Sequence, residues 1–244
     1  MTATATTPAS TPASASASAP ALTARALLLD MDGTLVNSDA AVERSWGVWA
    51  DENGFTLDEV MKVSHGRQAH ATMAVLLPDR PAEHNIADNR AMLARETADT
   101  EGVVPVPGAP AFLAALAGLP HALVTSADAA LAGARMAAAA LPMPEIRVTA
   151  ESVTASKPDP EGFLLGAATL GITPADCVVF EDSEAGILAA RAAGMRVVGV
   201  GPRAADMRPD VHIEDLTRLR VAALPSGGIA LHLHLAAPDS VPTA

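Results

Sequence analysis

The chain has 244 residues, 50% of them hydrophobic, which suffices for one domain with a sizeable core or for a core with a small inserted domain. Its formal net charge of −12 argues against a nucleic acid or an anionic membrane surface as partner, because either would require a basic face. The single cysteine excludes a disulfide framework and a cysteine-based zinc site. No apolar run approaches the roughly 18 residues that a membrane span requires.

The beginning of the chain differs from the rest, because residues 2–21 contain only Thr, Ala, Ser and Pro. A tract without charges or bulky apolar groups has nothing to pack, so we predict a disordered tail over residues 1–24. The alternative is a targeting segment. A secretory signal has a basic start and an apolar centre, and transit peptides are rich in arginine, and this tract has neither feature. We therefore expect a cytoplasmic protein.

Four short apolar runs follow, without the alternation of a half-exposed strand. They cover residues 26–29, 121–124, 177–180 and 196–200. Such runs are typical of strands that are buried on both faces of a parallel sheet. Helical segments separate them, with a helix start at Asp159-Pro160 and helix ends at Gly171 and Gly194. The alternation predicts an α/β fold with a doubly wound parallel sheet.

The interval between the first two of these strands is about 90 residues, too long for a single crossover. Residues 40–105 contain no evident strand, and the apolar residues of segment 42–50 have helical spacing. We therefore predict a helical cap over residues 40–105, inserted after the first strand. The α/β core would then consist of residues 25–39 and 106–244.

Two carboxylates directly follow the first predicted strand. Asp30 and Asp32 point to the same side of an extended chain, and such close like charges require a cation or a shared proton. A hard ion with oxygen ligands, such as Mg²⁺, suits them. Gly33 permits a tight turn, and Thr34 offers a hydroxyl group. The alternative interpretation is an acidic turn whose side chains cap the next helix.

Polar residues also follow the other predicted strands. Thr125 and Ser126 offer hydroxyl and N–H groups just before a helix, where an anion such as phosphate is favoured. Glu181 and Asp182 bring further carboxylates to the same edge, and Lys157 supplies a cation. Taken alone, the Thr125-Ser126 pair is more often a helix cap and a lone lysine is usually a solvated charge, and the alternative for Glu181 and Asp182 is capping of the next helix.

As an ordered set over residues 26–201, these four features resemble the motifs of the haloacid dehalogenase superfamily. That resemblance implies a Rossmann-like core with a helical cap between the first and second motifs. Four shorter segments are similar to those of the superfamily's sugar phosphatases, which include 2-deoxyglucose-6-phosphatase and glycerol-1-phosphatase. These segments are residues 64–68, 124–126, 156–160 and 181–183.

The resemblance also implies roles for single residues. Asp30 would be the nucleophile that forms an aspartyl-phosphate, and Asp32 would protonate the leaving alkoxide and then activate water. Mg²⁺ would be held by Asp30, the Asp32 backbone carbonyl and Asp182, with Glu181 as a further or adjacent ligand. The phosphoryl group would be bound by Thr34, Thr125, Ser126 and Lys157.

The implied substrate is a small phosphorylated sugar or polyol. His65, Gly66 and Arg67 lie between two predicted cap helices, and the resemblance implies that they line the substrate pocket. Arg67 could bind a phosphate or sugar hydroxyls, whereas the alternative is a surface loop. We expect a monomer or a weak homodimer.

Two other functions stay open at this point. A sugar-phosphate mutase similar to β-phosphoglucomutase typically carries Val after the loop glycine, so Thr34 favours hydrolysis. A non-catalytic sugar-phosphate-binding protein would usually have lost the nucleophile or a metal ligand, and this chain retains both.

Two further predictions concern structure alone. His232 and His234 alternate with leucines, which predicts a solvent-facing edge strand rather than a pair of metal ligands. Cys177 begins an apolar strand and is predicted to be an inert core thiol.

Overall fold

The computed structural model describes residues 22–233, which form three sheets and their connecting helices. The strands are β1 (Leu22–Ala24), β2 (Ala26–Leu29), β3 (Val36–Asn37), β4 (Val104–Pro105), β5 (His121–Val124), β6 (Ile146–Val148), β7 (Cys177–Glu181), β8 (Arg196–Val200), β9 (Val211–Ile213), β10 (Leu219–Ala223) and β11 (Ile229–Leu233). The helices are α1 (Asp39–Asn53), α2 (Leu57–Ser64), α3 (Ala69–Leu76), α4 (Ala82–Ala98), α5 (Ala109–Ala115), α6 (Ala129–Ala138), α7 (Glu161–Leu170), α8 (Glu184–Ala192) and α9 (Gly201–Ala204). Within residues 22–233, no helix has the length and apolar character needed to cross a membrane.

The largest sheet has the strand order β6-β5-β2-β7-β8-β9, and every neighbouring pair is parallel. Strand β2 lies in the middle of this sheet. Strands β5 and β6 follow on one side of it, and strands β7, β8 and β9 follow on the other side. In this doubly wound order, the carboxyl ends of the central strands meet at a crevice. All four predicted strands lie in this sheet, so the predicted α/β fold with a Rossmann-like parallel sheet is confirmed.

The sheet is covered by apolar side chains on both faces. Along β2, Leu27 and Leu29 pack into one hydrophobic cluster, and Leu28 packs into the cluster on the opposite face. On α7, a Cβ atom at Gly166 would lie only 3.1 Å from a methyl group of Val124, so this helix packs closely on the sheet. Cys177 is a buried free thiol, as predicted, and burial raises its pKa to about 11.

Helices α1–α4 form a group with a hydrophobic cluster of their own. Trp46 and Trp49 meet edge to face, with ring centroids 5.5 Å apart, and Met73 and Met92 are buried in the same cluster. The two chain segments that enter and leave this group pair as the antiparallel strands β3 and β4. β4 therefore lies in an interval that was predicted to have no strand.

Two helices that begin at the carboxyl edge of the sheet, α6 and α8, are capped by side chains. Asp128 and Ser183 precede α6 and α8, and each side chain accepts a hydrogen bond from the backbone N–H three residues later. Helix α7 begins after Pro160 rather than at it, one residue later than predicted. Gly171 ends α7 with a φ of 67°, as the sequence indicates.

The two ends of the described chain pair with each other. Strand β1 is antiparallel to β11, with Leu22 opposite Leu231, so the prediction of a tail over residues 1–24 is wrong for its last three residues. Residues 1–21 lie outside the described residues. Because β11 also pairs with β10, it is a central strand, and the predicted edge position of His232 is wrong. His234 lies outside the described residues.

Candidate active site

A cavity of about 100 Å³ lies between the carboxyl edge of the sheet and helices α1–α4. Its walls bring together eight of the predicted site residues, which are Asp30, Asp32, His65, Gly66, Arg67, Thr125, Ser126 and Asp182. Lys157 and Glu181 are buried next to this cavity and contact its residues directly. The strand ends explain the assembly, because Asp30 follows β2, Thr125 follows β5 and Asp182 follows β7.

Three buried carboxylates meet at this edge. Oxygen atoms of Asp30, Glu181 and Asp182 all lie within 4.8 Å of one another. The Lys157 Nζ donates to Asp30 Oδ1 at 2.5 Å and to Glu181 Oε1 at 2.7 Å. Burial raises the pKa of Asp30 well above its usual range, although Lys157 opposes the shift. Burial lowers the pKa of Lys157, but Asp30 and Glu181 outweigh it, so the ammonium stays charged.

The hydrogen bonds distinguish Glu181 from its two acidic neighbours. One Glu181 oxygen accepts from Lys157, and the other accepts from the Asp182 N–H and from the N–H and hydroxyl groups of Ser183, each at 2.8 Å. A Cβ atom at Gly186 would collide with this carboxylate, so a glycine at this position of α8 lets it fit beneath the helix. Glu181 therefore has its oxygens occupied and braces the strand end.

Asp30 and Asp182 each keep one oxygen available. Asp30 Oδ2 and Asp182 Oδ1 accept no hydrogen bond from residues 22–233, and both side chains line the cavity. One oxygen of Asp30 and one of Asp182 lie within 4.8 Å of each other, and such a pair of carboxylates fits a hard divalent cation. The residues that are present are thus suited to Mg²⁺, with Glu181 supporting the ligands.

Asp182 also has a cationic partner of its own. Arg203 Nε and Nη2 donate to Asp182 Oδ2 at 2.9 and 2.7 Å, and Arg203 Nη1 donates to both oxygens of Asp39 at 3.0 Å. Burial raises the pKa of Asp182 to about 7, with the charge of Glu181 acting in the same direction and Arg203 opposing it.

Asp32 is held through both of its oxygens. The Ser38 hydroxyl donates to Oδ1 at 2.6 Å, and Arg135 Nη1 donates to Oδ2 at 2.8 Å. Arg135 Nη2 also donates to Glu96 of helix α4 at 2.5 Å. Burial lowers the pKa of Arg135, but the charges of Asp32 and Glu96 outweigh it and raise the pKa overall. One buried guanidinium thus joins the loop after β2 to a helix of the inserted segment.

The loop between α2 and α3 rests directly on the sheet edge. The Ser126 hydroxyl donates to the Gly66 carbonyl at 2.8 Å. Gly66 has a φ of 77°, and a Cβ atom there would collide with the side chain of Ser183, so this contact requires glycine. The backbone N–H of Ser126 donates to no acceptor within residues 22–233. It is therefore free to bind a ligand.

His65 and Arg67 flank this contact and line the cavity, so their alternative interpretation as an outer surface loop is wrong. Burial lowers the pKa of His65, and the nearby charge of Arg203 lowers it further. Arg67 is half-buried, and it has no ion pair within 4.0 Å among the described residues. Its guanidinium is available to a ligand in the cavity.

Thr34 is the predicted site residue that the structure separates from the others. Its side chain is fully buried and absent from the cavity walls, and its hydroxyl has no hydrogen-bond partner among the described residues. A direct contact between this hydroxyl and a phosphoryl group is therefore not supported.

Four residues of the site were not predicted from the sequence, namely Ser38, Glu96, Arg135 and Arg203. Arg203 lies three residues after the end of β8, so its position near a strand end could have identified it. Arg135 is the single charged residue in α6, which is an unusual position in an Ala-rich helix. No local pattern marks Glu96, because its contact depends on how α4 packs against α6.

Comparisons with known proteins agree with this arrangement. The family description "haloacid dehalogenase-like hydrolase" matches residues 24–194. Hexitol phosphatase A of Escherichia coli (strain K12) is 39% identical over 215 residues, which cover 86% of this chain and 100% of that protein. Glycerol-1-phosphate phosphohydrolase 1 of Saccharomyces cerevisiae is 31% identical over 191 residues, which cover 74% of this chain and 76% of that protein.

Among solved structures, β-phosphoglucomutase from Clostridium difficile superposes with a TM-score of 0.71 at 18% sequence identity. The match covers 81% of this chain and 93% of that chain. At this level of identity, the likeness concerns the fold alone. The family match and the two phosphatases similar in sequence confirm the predicted superfamily and its resemblance to sugar phosphatases.

Proposed function

We propose that this chain, which belongs to the haloacid dehalogenase-like hydrolase family, is a Mg²⁺-dependent phosphatase that hydrolyses small sugar or polyol phosphates through an aspartyl-phosphate. The observation that carries the proposal is the pair of free oxygens on Asp30 and Asp182, with Lys157 fixed beside them. The names of the similar proteins, a hexitol phosphatase and a glycerol-1-phosphate phosphohydrolase, support the substrate class.

Asp30 is the nucleophile in this mechanism. Lys157 donates to Oδ1 and fixes the carboxylate, so that one Asp30 oxygen can attack phosphorus while the other belongs to the cation site. A bond forms between the attacking oxygen and phosphorus as the bond to the leaving alcohol oxygen breaks, which gives the aspartyl-phosphate. Lys157 and the free N–H of Ser126 then bind the oxygens of the transferring phosphoryl group, where the negative charge lies.

Asp32 handles the protons. Asp32 enters the first step protonated and gives its proton to the leaving alcohol oxygen. In the second step the Asp32 carboxylate takes a proton from the water that attacks phosphorus, and the bond between phosphorus and the Asp30 oxygen breaks, which releases phosphate and restores both aspartates. Ser38 and Arg135 hold the two oxygens of this side chain, which restricts its rotation beside the reacting groups. A fixed acid–base group lowers the entropic cost of both steps.

Asp30, Asp182 and the backbone carbonyl of Asp32 are the groups that would hold Mg²⁺, and Glu181 would brace Asp182 from behind. When bound, the ion neutralises charge on the phosphoryl oxygens. Three carboxylates, those of Asp30, Glu181 and Asp182, are paired within residues 22–233 with only two cations, Lys157 and Arg203. The remaining negative charge favours the binding of a further cation.

We assign substrate selection to a helical cap over residues 40–105, with a core of residues 25–39 and 106–244. The separate hydrophobic cluster of α1–α4 and the β3–β4 pair at its base support this division. Its His65-Gly66-Arg67 segment supplies polar groups to the cavity. A cytoplasmic location and a monomer or weak homodimer stay predictions.

Phosphate release from a panel of sugar, polyol and nucleotide monophosphates tests the proposal. We expect release from sugar or polyol phosphates with Mg²⁺, loss of activity with a chelator and recovery when Mg²⁺ is restored. Conversion of β-glucose-1-phosphate to glucose-6-phosphate without phosphate release would instead identify a mutase. Binding of sugar phosphates without turnover would identify a non-catalytic binding protein.

A further inference from the structure

Arg203 connects the core of the site to the first cap helix. It lies in the short helix α9, directly after β8, and its guanidinium contacts Asp182 on one side and Asp39 on the other. Asp39 is the first residue of α1. The Arg203 side chain is 30% exposed, whereas that of Asp182 is only 6% exposed, so Arg203 covers the outer side of a buried carboxylate.

The contacts of Arg203 with Asp182 are asymmetric. Both Nε and Nη2 donate to Oδ2, and neither donates to Oδ1. Asp30 has the same arrangement, because Lys157 binds its Oδ1 and leaves Oδ2 free. Each of these two carboxylates is therefore fixed through one oxygen by a cation, and its other oxygen accepts no hydrogen bond within residues 22–233.

The loop after β2 is shaped to accommodate this contact. Gly33 has a φ of 81°, and a Cβ atom there would lie 2.6 Å from Arg203 Nη2 and would collide with the Asp182 carboxylate. The guanidinium and the carboxylate thus pack against bare backbone. A side chain at position 33 would displace them, so the Arg203–Asp182 contact is part of the loop's packing.

We propose that Arg203 is a positioning residue for the cation site. Arg203 holds Asp182 by Oδ2, so that Oδ1 faces the cavity. Its other hydrogen bonds, to Asp39, fix the guanidinium itself against the start of α1. The inference rests on the proposed function only in requiring that the site binds a divalent cation. Hydrogen-bond partners that orient metal ligands typically contribute 10–100-fold to metal affinity.

The test measures Mg²⁺ binding by isothermal titration calorimetry, and Mn²⁺ binding by electron paramagnetic resonance, on the full chain after chelator treatment. We expect Arg203→Met to weaken binding by about tenfold or more. Arg203→Lys keeps the charge but not the planar fork, and it should also weaken binding. Simple removal of a positive charge would tighten cation binding, so the expected direction separates positioning from charge repulsion.

Arg218→Met is the matched control, because Arg218 pairs with the exposed Glu214 and not with Asp182. It should leave Mg²⁺ affinity within about twofold of wild type, because salt screens a charge that is paired at the exposed surface. Circular dichroism and thermal unfolding in chelator establish that each variant is folded. If Arg203→Met does not fold, Arg203→Lys alone decides.

Unchanged or tighter Mg²⁺ binding in the Arg203 variants would overturn the inference, as would a wild-type chain that binds no divalent cation. The proposed function is judged separately, by phosphate release. A wild-type chain that binds Mg²⁺ and releases no phosphate contradicts the phosphatase and leaves the role of Arg203 intact.

Discussion

The two walls of the cavity are built in different ways. On the sheet edge, each of three aspartates accepts a hydrogen bond from a buried or half-buried cation; the pairs are Asp30 with Lys157, Asp32 with Arg135 and Asp182 with Arg203. The helical wall presents apolar side chains, which are Val42, Trp46, Met92 and Leu93. Its Arg67 has no ion pair within the described residues.

This difference separates chemistry from recognition. The paired charges on the sheet edge hold one another in place. The transfer of a phosphoryl group requires such fixed charges, whichever phosphate ester is the substrate. A wall that combines these apolar side chains with polar ones such as His65 and Asn89 and with a guanidinium unpaired among the described residues suits the variable part of a substrate. Glu96 and Asp39 are exceptions, since they belong to the helical wall and pair with Arg135 and Arg203 of the core. The predictions that follow test how sharp this division is.

Asp30→Asn should have the largest effect, because it removes the attacking oxygen and one charge of the cation site while it preserves shape. We expect turnover to fall by roughly 1,000-fold or more for every substrate, as for loss of one member of a catalytic unit. The measurement is phosphate release with sugar and aryl phosphates, and circular dichroism monitors folding. Activity within tenfold of wild type would contradict the nucleophile assignment.

Arg135→Met tests one of the contacts that join the two walls. The change leaves Asp32 and Glu96 without their shared cation, which should lower the free energy of unfolding by about 3 kcal/mol. The displaced Asp32 should reduce turnover by roughly 100-fold. Urea unfolding and phosphate release measure the two effects.

Glu96→Gln is the matched control for Arg135→Met, since it keeps the shape of the side chain and a carbonyl acceptor for Arg135. We expect it to lower the free energy of unfolding by about 1 kcal/mol and to retain most of the turnover. Equal losses in the two variants would show that Glu96 is as important as the cation, and the two walls would then act as one unit.

Arg67→Ala should affect recognition alone. Loss of a charged hydrogen bond should lower kcat/KM for the preferred sugar or polyol phosphate by roughly tenfold to a hundredfold. A small aryl phosphate contacts the helical wall less and should be affected much less. Equal losses for both substrates would assign Arg67 to the phosphoryl group, and no loss for either would remove it from recognition.

The core wall was predictable from sequence because strands buried on both faces appear as unbroken apolar runs, and residues at their carboxyl ends must meet at one edge. The strand ends predict that Asp30, Thr125 and Asp182 lie close together, and all three line the cavity. This prediction requires only the local sequence around each strand and the parallel order of the sheet.

The rest depends on packing between distant elements. Glu96 and Arg135 are 39 residues apart, and they meet only because α4 packs on α6. Strand β1 pairs with β11 from the other end of the described chain. In the sequence of β1, Leu22 is the single large apolar residue, which is too little to distinguish a strand from the Thr/Ala/Ser/Pro tract before it. Tertiary contacts of this kind leave no periodicity in one segment that could reveal them.

Thr34→Val should have the smallest effect, and it tests a residue that motif comparison favours and geometry does not. Valine is the residue that mutases typically carry here, so a role in the choice of reaction would show as less phosphate release and more isomerisation. Thr34 is fully buried away from the cavity walls, however, and its hydroxyl lacks a partner among the described residues. We therefore expect kcat, KM and the reaction products to be unchanged.

The same substitution should affect stability in the direction opposite to most core changes. Valine has nearly the shape of threonine and removes a buried hydroxyl that makes no hydrogen bond within the described residues, so the free energy of unfolding should rise by about 1 kcal/mol. Urea unfolding measures this change, and Thr125→Val, which removes a hydroxyl that accepts the Ala127 N–H at 3.1 Å, is the matched comparison that should lose stability. A fall in phosphate release for Thr34→Val, with isomerisation of β-glucose-1-phosphate in its place, would contradict this expectation. It would mean that a buried residue of the loop after β2 selects the reaction, and the core wall of the site would then include residues beneath the cavity surface.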